Sequence, residues 1–337
     1  MDSSAPRRRR KHENTVLEVG GETIAPGERQ RFEIRVARLP TGTWLHLPLE
    51  VVNGEHAGPR LWLTAAVHGD ELNGAEIIRR VLAQIDHTKL AGALVAVPIV
   101  NVFGFVQQLR YLPDRRDLNR SFPGAKHGSL AARLARLIMV EVVGHSTHGI
   151  DLHTGSHHRT NLPQIRADLS DPETRAIALA FGTPVVIDAH TRDGSLRHAA
   201  RQANKPVLLY EGGEALRFDE LAIQAGVDGV LRTMAYLGMI DDAPALVEPP
   251  ILVARTRWLR ARRGGIMRCS TALGARVGKG QTLAEITDAF GRGTAYVRAP
   301  KDGIVIGLNQ NPLVNQGDAV LHLALADDDG EPSIDVA

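Results

Sequence analysis

His68 and Glu71, three residues apart in Val67-His68-Gly69-Asp70-Glu71-Leu72-Asn73-Gly74, are the side chains of this sequence best suited to chemistry. They follow a strand-like run, 61–67, and precede a helix-like run, 75–85, so a short strand-end loop can aim both at one point. An imidazole and a carboxylate together suit Zn2+. A third ligand, His153, comes much later, in Gly149-Ile150-Asp151-Leu152-His153-Thr154-Gly155. Two histidines and a glutamate, with a fourth position open to water, make the ligand set of a hydrolytic zinc site with one Zn2+ per chain. Asp151 lies two residues before His153, on the same strand face. A zinc-bound imidazole usually passes its second N–H to a carboxylate, and Asp151 is placed to receive it from His153 or from His68.

Further polar residues belong to the same chemistry. Arg110-Tyr111 and Asp117-Leu118-Asn119-Arg120-Ser121-Phe122-Pro123-Gly124 put guanidinium groups between a strand and a helix. Arginine holds carboxylates bidentately and asparagine adds a neutral donor, so Asn119 and Arg120 are expected to contact substrate. Arg166, in Leu162-Pro163-Gln164-Ile165-Arg166, is a candidate for a further anion contact. Glu211, in Tyr210-Glu211-Gly212-Gly213-Glu214, ends an apolar strand before glycines that permit close approach. A glutamate beside zinc-bound water is the expected general base. His157 and His158 read as loop residues.

Taken in order, His-Gly-Asp-Glu, Arg-Tyr followed by Asp-Leu-Asn-Arg, Asp-Leu-His-Thr-Gly and the late strand-end glutamate resemble the succinylglutamate desuccinylase/aspartoacylase family. That family is a branch of the zinc carboxypeptidase-like hydrolases. The resemblance spans roughly residues 55–240, and the β-rich region after it is similar to the family's C-terminal domain. It implies zinc ligands at His68, Glu71 and His153, Asn119 and Arg120 on a substrate carboxylate, Arg110 polarising the scissile carbonyl, and Glu211 as general acid/base. Arg110 stands two residues further from Asn119 than in the aspartoacylase pattern, which leaves Arg115 and Arg116 open for its role. The expected activity is a zinc-dependent amidohydrolase, a deacylase acting on an N-acyl amino acid or a related small amide bearing a carboxylate. The rival readings are a metallocarboxypeptidase on short peptides and a non-catalytic binding protein that keeps the fold.

The elements that must position these residues follow from the apolar pattern. Strand-like runs at 61–67, 93–100, 150–152, 184–187 and 206–210 alternate with helix-like runs at 75–85, 129–143, 173–181 and 219–238. This alternation predicts an α/β domain with a mixed central sheet flanked by helices. Ligands gather at the carboxyl ends of strands in such sheets, where His68, His153 and Glu211 lie. The expected layout is a basic tail over 1–15, a catalytic domain over 16–240 whose first part, 16–52, is β, and an acidic, proline-rich linker at 241–250. A β domain over 251–326 and an acidic tail over 327–337 follow. Within 251–326, Val277-Gly278-Lys279-Gly280-Gln281-Thr282-Leu283 and Val314-Asn315-Gln316-Gly317-Asp318-Ala319-Val320 repeat one pattern. The repeat suggests a pseudo-symmetric half-barrel similar to the biotinyl/lipoyl fold. No Met-Lys-Met-type site accompanies it, so no swinging-arm cofactor is expected.

Composition narrows the partners. The 337 residues are 43% hydrophobic and 23% charged, as in an ordinary globular protein. No apolar run approaches the roughly 20 residues of a membrane-spanning helix. The arginines at the N-terminus have no apolar core behind them, and a single cysteine, Cys269, fits a reducing cytoplasm. The net charge of +2 conceals a segment, 1–12, that carries +4, leaving the remainder at −2. With 4% aromatic residues, base-stacking platforms for nucleic acid are not expected. The cluster Arg255, Arg257, Arg260, Arg262 and Arg263 reads as a solvated or subunit-facing surface, which leaves a homo-oligomer open.

Overall fold

Leu61, Leu63 and Ala65 share one face of a strand and Trp62 and Thr64 the other, and a strand with large apolar residues on both faces needs cover on both sides. The computed structural model, which describes residues 14–326, supplies it. Leu61, Leu63 and Ala65 pack into one buried cluster and Trp62 into another, on opposite faces of one sheet. Of the basic tail expected over 1–15, residues 1–13 lie outside the described residues, as does the acidic tail expected over 327–337. Asn14 and Thr15 are tied to the body, Asn14 Nδ2 donating to Asn53 Oδ1 at 2.8 Å and Arg60 Nη2 to Thr15 Oγ1 at 2.7 Å.

The chain opens with four strands, β1 (Leu17–Val19), β2 (Glu22–Ile24), β3 (Glu28–Arg38) and β4 (Trp44–Asn53). An alternating region follows: β5 (His56–Ala65), α1 (Asn73–Gln84), β6 (Ala91–Val97), α2 (Val102–Gln107) and a 3-10 turn at Leu118–Arg120. Next come α3 (Leu130–Ile138), extended by a π-helical turn at Met139–Val143, then β7 (His148–Gly155) and β8 (Arg159–Ala167). The region closes with α4 (Pro172–Phe181), β9 (Val185–Asp188), α5 (Leu196–Gln202), β10 (Val207–Glu214) and α6 (Glu220–Tyr236).

Strands β6, β5, β7 and β10 run parallel and side by side, so their carboxyl ends share one edge. Helix α1 leaves β5 toward β6, whereas β7 joins β5 on its other side. The crevice at this reversal of strand order is where ligands settle in open α/β sheets. Helices α1, α4 and α6 cover one face; α3 and α5 lie with the N-terminal strands on the other. The expected mixed α/β sheet flanked by helices is therefore the observed architecture.

Strand β8 lies between β10 and two further neighbours. Its second half, Gln164–Ala167, pairs with β9, while Arg159–Asn161 pair with the C-terminal region. That region contains β11 (Ile251–Val253), β12 (Thr256–Arg260), β13 (Gly265–Cys269), β14 (Arg276–Val277), β15 (Thr282–Thr287), β16 (Ala295–Arg298), β17 (Gly303–Asn309), β18 (Leu313–Val314) and β19 (Ala319–Leu325). The two repeated sequence units form alike, each a two-residue strand, a glycine turn and a longer strand. The region has its own apolar core around Leu283, Ile286, Val305 and Leu321. It also continues the main sheet: β17 pairs with β8, β19 with β17 and β12 with β19. A small buried cluster, with Val185, Ile187, Val253, Ile306 and Ala324, seals the junction.

Candidate metal centre and active site

The chain leaves β5 through Ala66, whose φ of 49° turns it sharply, and the Glu71 N–H closes a turn on the His68 carbonyl at 3.1 Å. Gly69 allows α2 to press against this loop: a Cβ there would fall 2.0 Å from the Gly104 carbonyl carbon. The turn brings His68 Nδ1 within 2.8 Å of Glu71 Oε1. From β7, His153 Nδ1 meets the other oxygen, Oε2, also at 2.8 Å. The three side chains are buried, and their ligand atoms lie within 4.8 Å of one another. The sequence named this trio, and the fold assembles it.

The outer nitrogens of both rings are held by carboxylates. His153 Nε2 meets Asp151 Oδ2 at 2.8 Å, and Thr64 Oγ1 donates to Asp151 Oδ1 at 2.7 Å. His68 Nε2 meets Asp117 Oδ1 at 3.2 Å. The sequence offered Asp151 to either histidine. It serves His153, and Asp117 serves His68. A carboxylate at Nε2 favours the N–H there and leaves the lone pair on Nδ1, the side facing Glu71. Lone pairs then meet carboxylate oxygens, and only positive charge between them makes the arrangement favourable. Burial depresses both imidazoles, yet Asp151 and Glu71 hold His153 well above its usual range, and Glu71 with Asp117 raises His68. Burial raises the Glu71 carboxyl, and the two histidines outweigh it, holding it well below the carboxylate range. A divalent cation would take the place of those protons, so the donor set fits zinc.

Arg110 braces the trio. Its Nη1 donates to Glu71 Oε1 at 3.2 Å and its Nη2 to Asp117 Oδ2 at 3.1 Å, while its edge lines the cavity beside them. Arg115 and Arg116, the alternatives to it, are exposed and outside that cavity. Asn119 and Arg120 both line it. Asn119 Oδ1 accepts from the Leu196 N–H at 2.9 Å, which turns its amide nitrogen away from that contact. Arg120 donates to the Asn119 carbonyl, and burial lowers its pKa. Asp117 is engaged by His68 and Arg110, and Asp114 by Arg116, so neither anchors Arg120 in an ion pair.

Glu211 lies in β10 opposite His153 of β7. Burial pushes its carboxyl up; Arg166 and His153 pull it back only in part. Asn161 Nδ2 donates to Glu211 Oε2 and fixes the carboxylate plane. Arg166, from β8, reaches the same cavity. Glu214 lies outside it, near Thr160 and Arg217. His157 and His158 are exposed in the turn between β7 and β8.

Several cavity residues have no local mark in the sequence. Arg197, on α5, donates to the carbonyls of Ala189 and His190, and burial with the neighbouring Arg166 brings its pKa down to about 10. Asn161 and Arg159 come from β8, a strand the apolar pattern did not signal. Trp258 and His322 come from β12 and β19, more than a hundred residues beyond His153. Asp117, which holds His68 without lining the cavity, did carry a signal, its place two residues before Asn119 in a loop already dense with functional types.

This arrangement is an α/β sheet whose parallel strands carry, at their carboxyl ends, a buried His-Glu-His trio able to hold a metal ion, with a carboxylate across from it. The family model for the succinylglutamate desuccinylase/aspartoacylase catalytic domain matches residues 57–237, and the chain belongs to that family. It is 28% identical over 296 residues, 82% of this chain and 85% of the other, to the N-alpha-acetyl-L-2,4-diaminobutyric acid deacetylase of Halomonas elongata. A succinylglutamate desuccinylase/aspartoacylase from Rhodobacter sphaeroides superposes with a TM-score of 0.79 at 25% identity, covering 88% of this chain and 94% of that one. The product-bound ectoine utilization protein EutE (DoeB) of Ruegeria pomeroyi superposes with a TM-score of 0.82 at 23% identity, covering 94% of this chain and 100% of that one, a likeness of fold. Among the described residues, no helix is long and apolar enough to cross a membrane.

Proposed function

We propose that this chain is a zinc-dependent deacylase that hydrolyses the amide bond of an N-acyl amino acid carrying a carboxylate. The observation that carries the reading is the convergence of His68, Glu71 and His153 with Glu211 in one cavity. Zn2+ bound by the trio would lower the pKa of a water and polarise the amide carbonyl. Glu211 takes the proton from the attacking water and returns it to the leaving amine. Its raised pKa suits both halves of that exchange, since a stronger base takes the proton more readily. Asn161 occupies Oε2 and leaves Oε1 to exchange the proton.

Arg110 spends two N–H groups on Glu71 and Asp117, and the rest of its five-donor fork faces developing negative charge on the carbonyl oxygen. The amide nitrogen of Asn119 and the guanidinium of Arg120 hold the substrate carboxylate, with Arg166 as a further anion contact. Six arginines and two glutamates line the cavity, which favours a substrate that is an anion overall. The Halomonas relative is named for a diamino acid, whose extra amine such a lining disfavours. A cavity of about 300 Å3 suits a compact substrate and argues against a peptide. The test is release of primary amine from N-acetyl, N-succinyl and N-acyl-diamino acids, with and without a zinc chelator. Turnover of acidic substrates, abolished by the chelator and restored by zinc, supports the proposal; hydrolysis of short peptides in preference to all of them overturns it.

A further inference from the structure

Five residues stand opposite one another across five adjacent strands. Gly213 of β10 faces Asn161 of β8, Asn161 faces Gly307 of β17, Gly307 faces His322 of β19, and His322 faces Trp258 of β12. Asn161, His322 and Trp258 line the same cavity as Glu211 and His153. Gly307 is the low point of this row. A Cβ there would lie 3.1 Å from Asn161 Oδ1 and 3.1 Å from the His322 Cβ, so any side chain would crowd both. His322 stacks on the Trp258 indole with ring centroids 4.4 Å apart and planes 5° from parallel, which fixes the plane of the imidazole. Arg159 lies over the same indole, 5.1 Å from its centroid.

His322 is 2% exposed, and among the described residues no protein group hydrogen-bonds either ring nitrogen. A ring nitrogen on a cavity wall that no protein group bonds is free to bond a ligand that enters the cavity. Burial, reinforced by Arg166 and Arg159, brings its pKa down to about 3. The ring is therefore neutral at ordinary pH and offers one N–H and one lone pair. We propose that His322 is a specificity-determining residue, whose ring N–H donates to a carboxylate at the end of the substrate remote from the scissile amide. Arg159 and Arg166 supply the charge that balances this second carboxylate, and Trp258 holds the imidazole in plane. Three strand spacings separate β10 from β19, roughly 14 Å, so this group lies several bonds from the reacting carbon. The inference rests on the deacylase reading and adds to it that the region after 250 selects the substrate.

The experiment is calorimetric titration of the zinc-loaded protein with glutarate and with valerate, five-carbon acids that differ by one carboxylate. Wild-type protein is expected to bind glutarate about tenfold or more tightly than valerate. His322→Phe, which keeps a ring on Trp258 and removes the donor, is expected to lose that preference while valerate affinity and zinc content hold. His322→Gln, which keeps a donor, is expected to recover part of it. An unchanged glutarate preference in His322→Phe, or an equal loss for both acids, overturns the proposal. The titration needs no turnover: absence of amine release from every acyl amino acid would sink the deacylase reading and leave this measurement to decide on His322.

Discussion

Acid should weaken this protein through His322 in a way that one substitution can isolate. The folded chain holds the imidazole near 3, through burial and then Arg166 and Arg159. The unfolded chain holds it near the ordinary 6.5. Between those values the unfolded chain binds a proton that the folded chain refuses, so stability rises with pH in that window. The folded state is unpenalised above about 6.5 and loses stability progressively as pH falls toward 3. The two pKa values give a loss of about 2 kcal/mol between pH 7 and pH 5, about 3 at pH 4, and a limit of about 5 below pH 3. The assay is urea unfolding of wild type and His322→Phe at pH 7, 6 and 5, analysed by linear extrapolation. Every other titrating group is common to both proteins, so their difference isolates this ring. The expected result is a shift of about 2 kcal/mol in favour of the phenylalanine variant between pH 7 and pH 5. Parallel stability curves, within ~0.5 kcal/mol, would show that His322 is protonated in the folded protein and would refute the reasoning.

Asp151→Asn keeps the shape of the partner of His153 but removes its charge; zinc affinity measured by chelator competition is expected to fall about 10- to 100-fold, and an unchanged affinity would take His153 out of the ligand set. Glu211→Gln is expected to retain zinc and lose ~10²–10⁴-fold in kcat, and near-normal kcat would move the base elsewhere. Because burial raises the Glu211 pKa, the acid limb of wild-type kcat/KM is expected above the ordinary carboxylate value of 4.5; a limb at or below that value would contradict the assignment. Arg120→Ala is expected to raise KM for free carboxylates about tenfold and to shrink their advantage over amide-capped analogues. Loss of stability with that preference intact would make Arg120 a scaffold residue.

The metal trio was legible because its signals are local. His68 and Glu71 share one turn, and Asp151 and His153 share one strand face, so spacing alone brought each pair together. The alternation of apolar runs also gave the parallel core, since β5, β6 and β10 each contain a buried apolar run and β7 keeps Ile150 and Leu152 around Asp151. Strand β8 escaped because Arg-Thr-Asn-Leu-Pro-Gln-Ile-Arg-Ala has neither an apolar run nor clean alternation and contains a proline. It is a strand because β10, β9 and β17 flank it, a condition set by distant chain. Arg159 and Asn161 come with β8, of which the sequence had marked only Arg166, and Trp258 and His322 arrive only through its pairing with β17. The short helix α5, seven residues long, left no period for Arg197 to be read against. Asp117 was visible as a loop residue, but its bond to His68 depends on the approach of two segments 49 residues apart.

The ladder from β8 to β12 bears on how such a protein can be cut and recombined. A chain ended near residue 250 would leave the backbone of Arg159–Asn161 without its partner strand and uncover Val185 and Ile187. An unpaired edge beside apolar side chains is a template for self-association. A chimera that exchanges the C-terminal region for that of a relative would meet the same seam. The transferable piece is the block of strands whose side chains meet across the cavity, β8 with β17, β19 and β12, rather than either side of the proline-rich connection. A swap that preserves this block inherits a working wall, and one that splits it joins two halves never selected to fit.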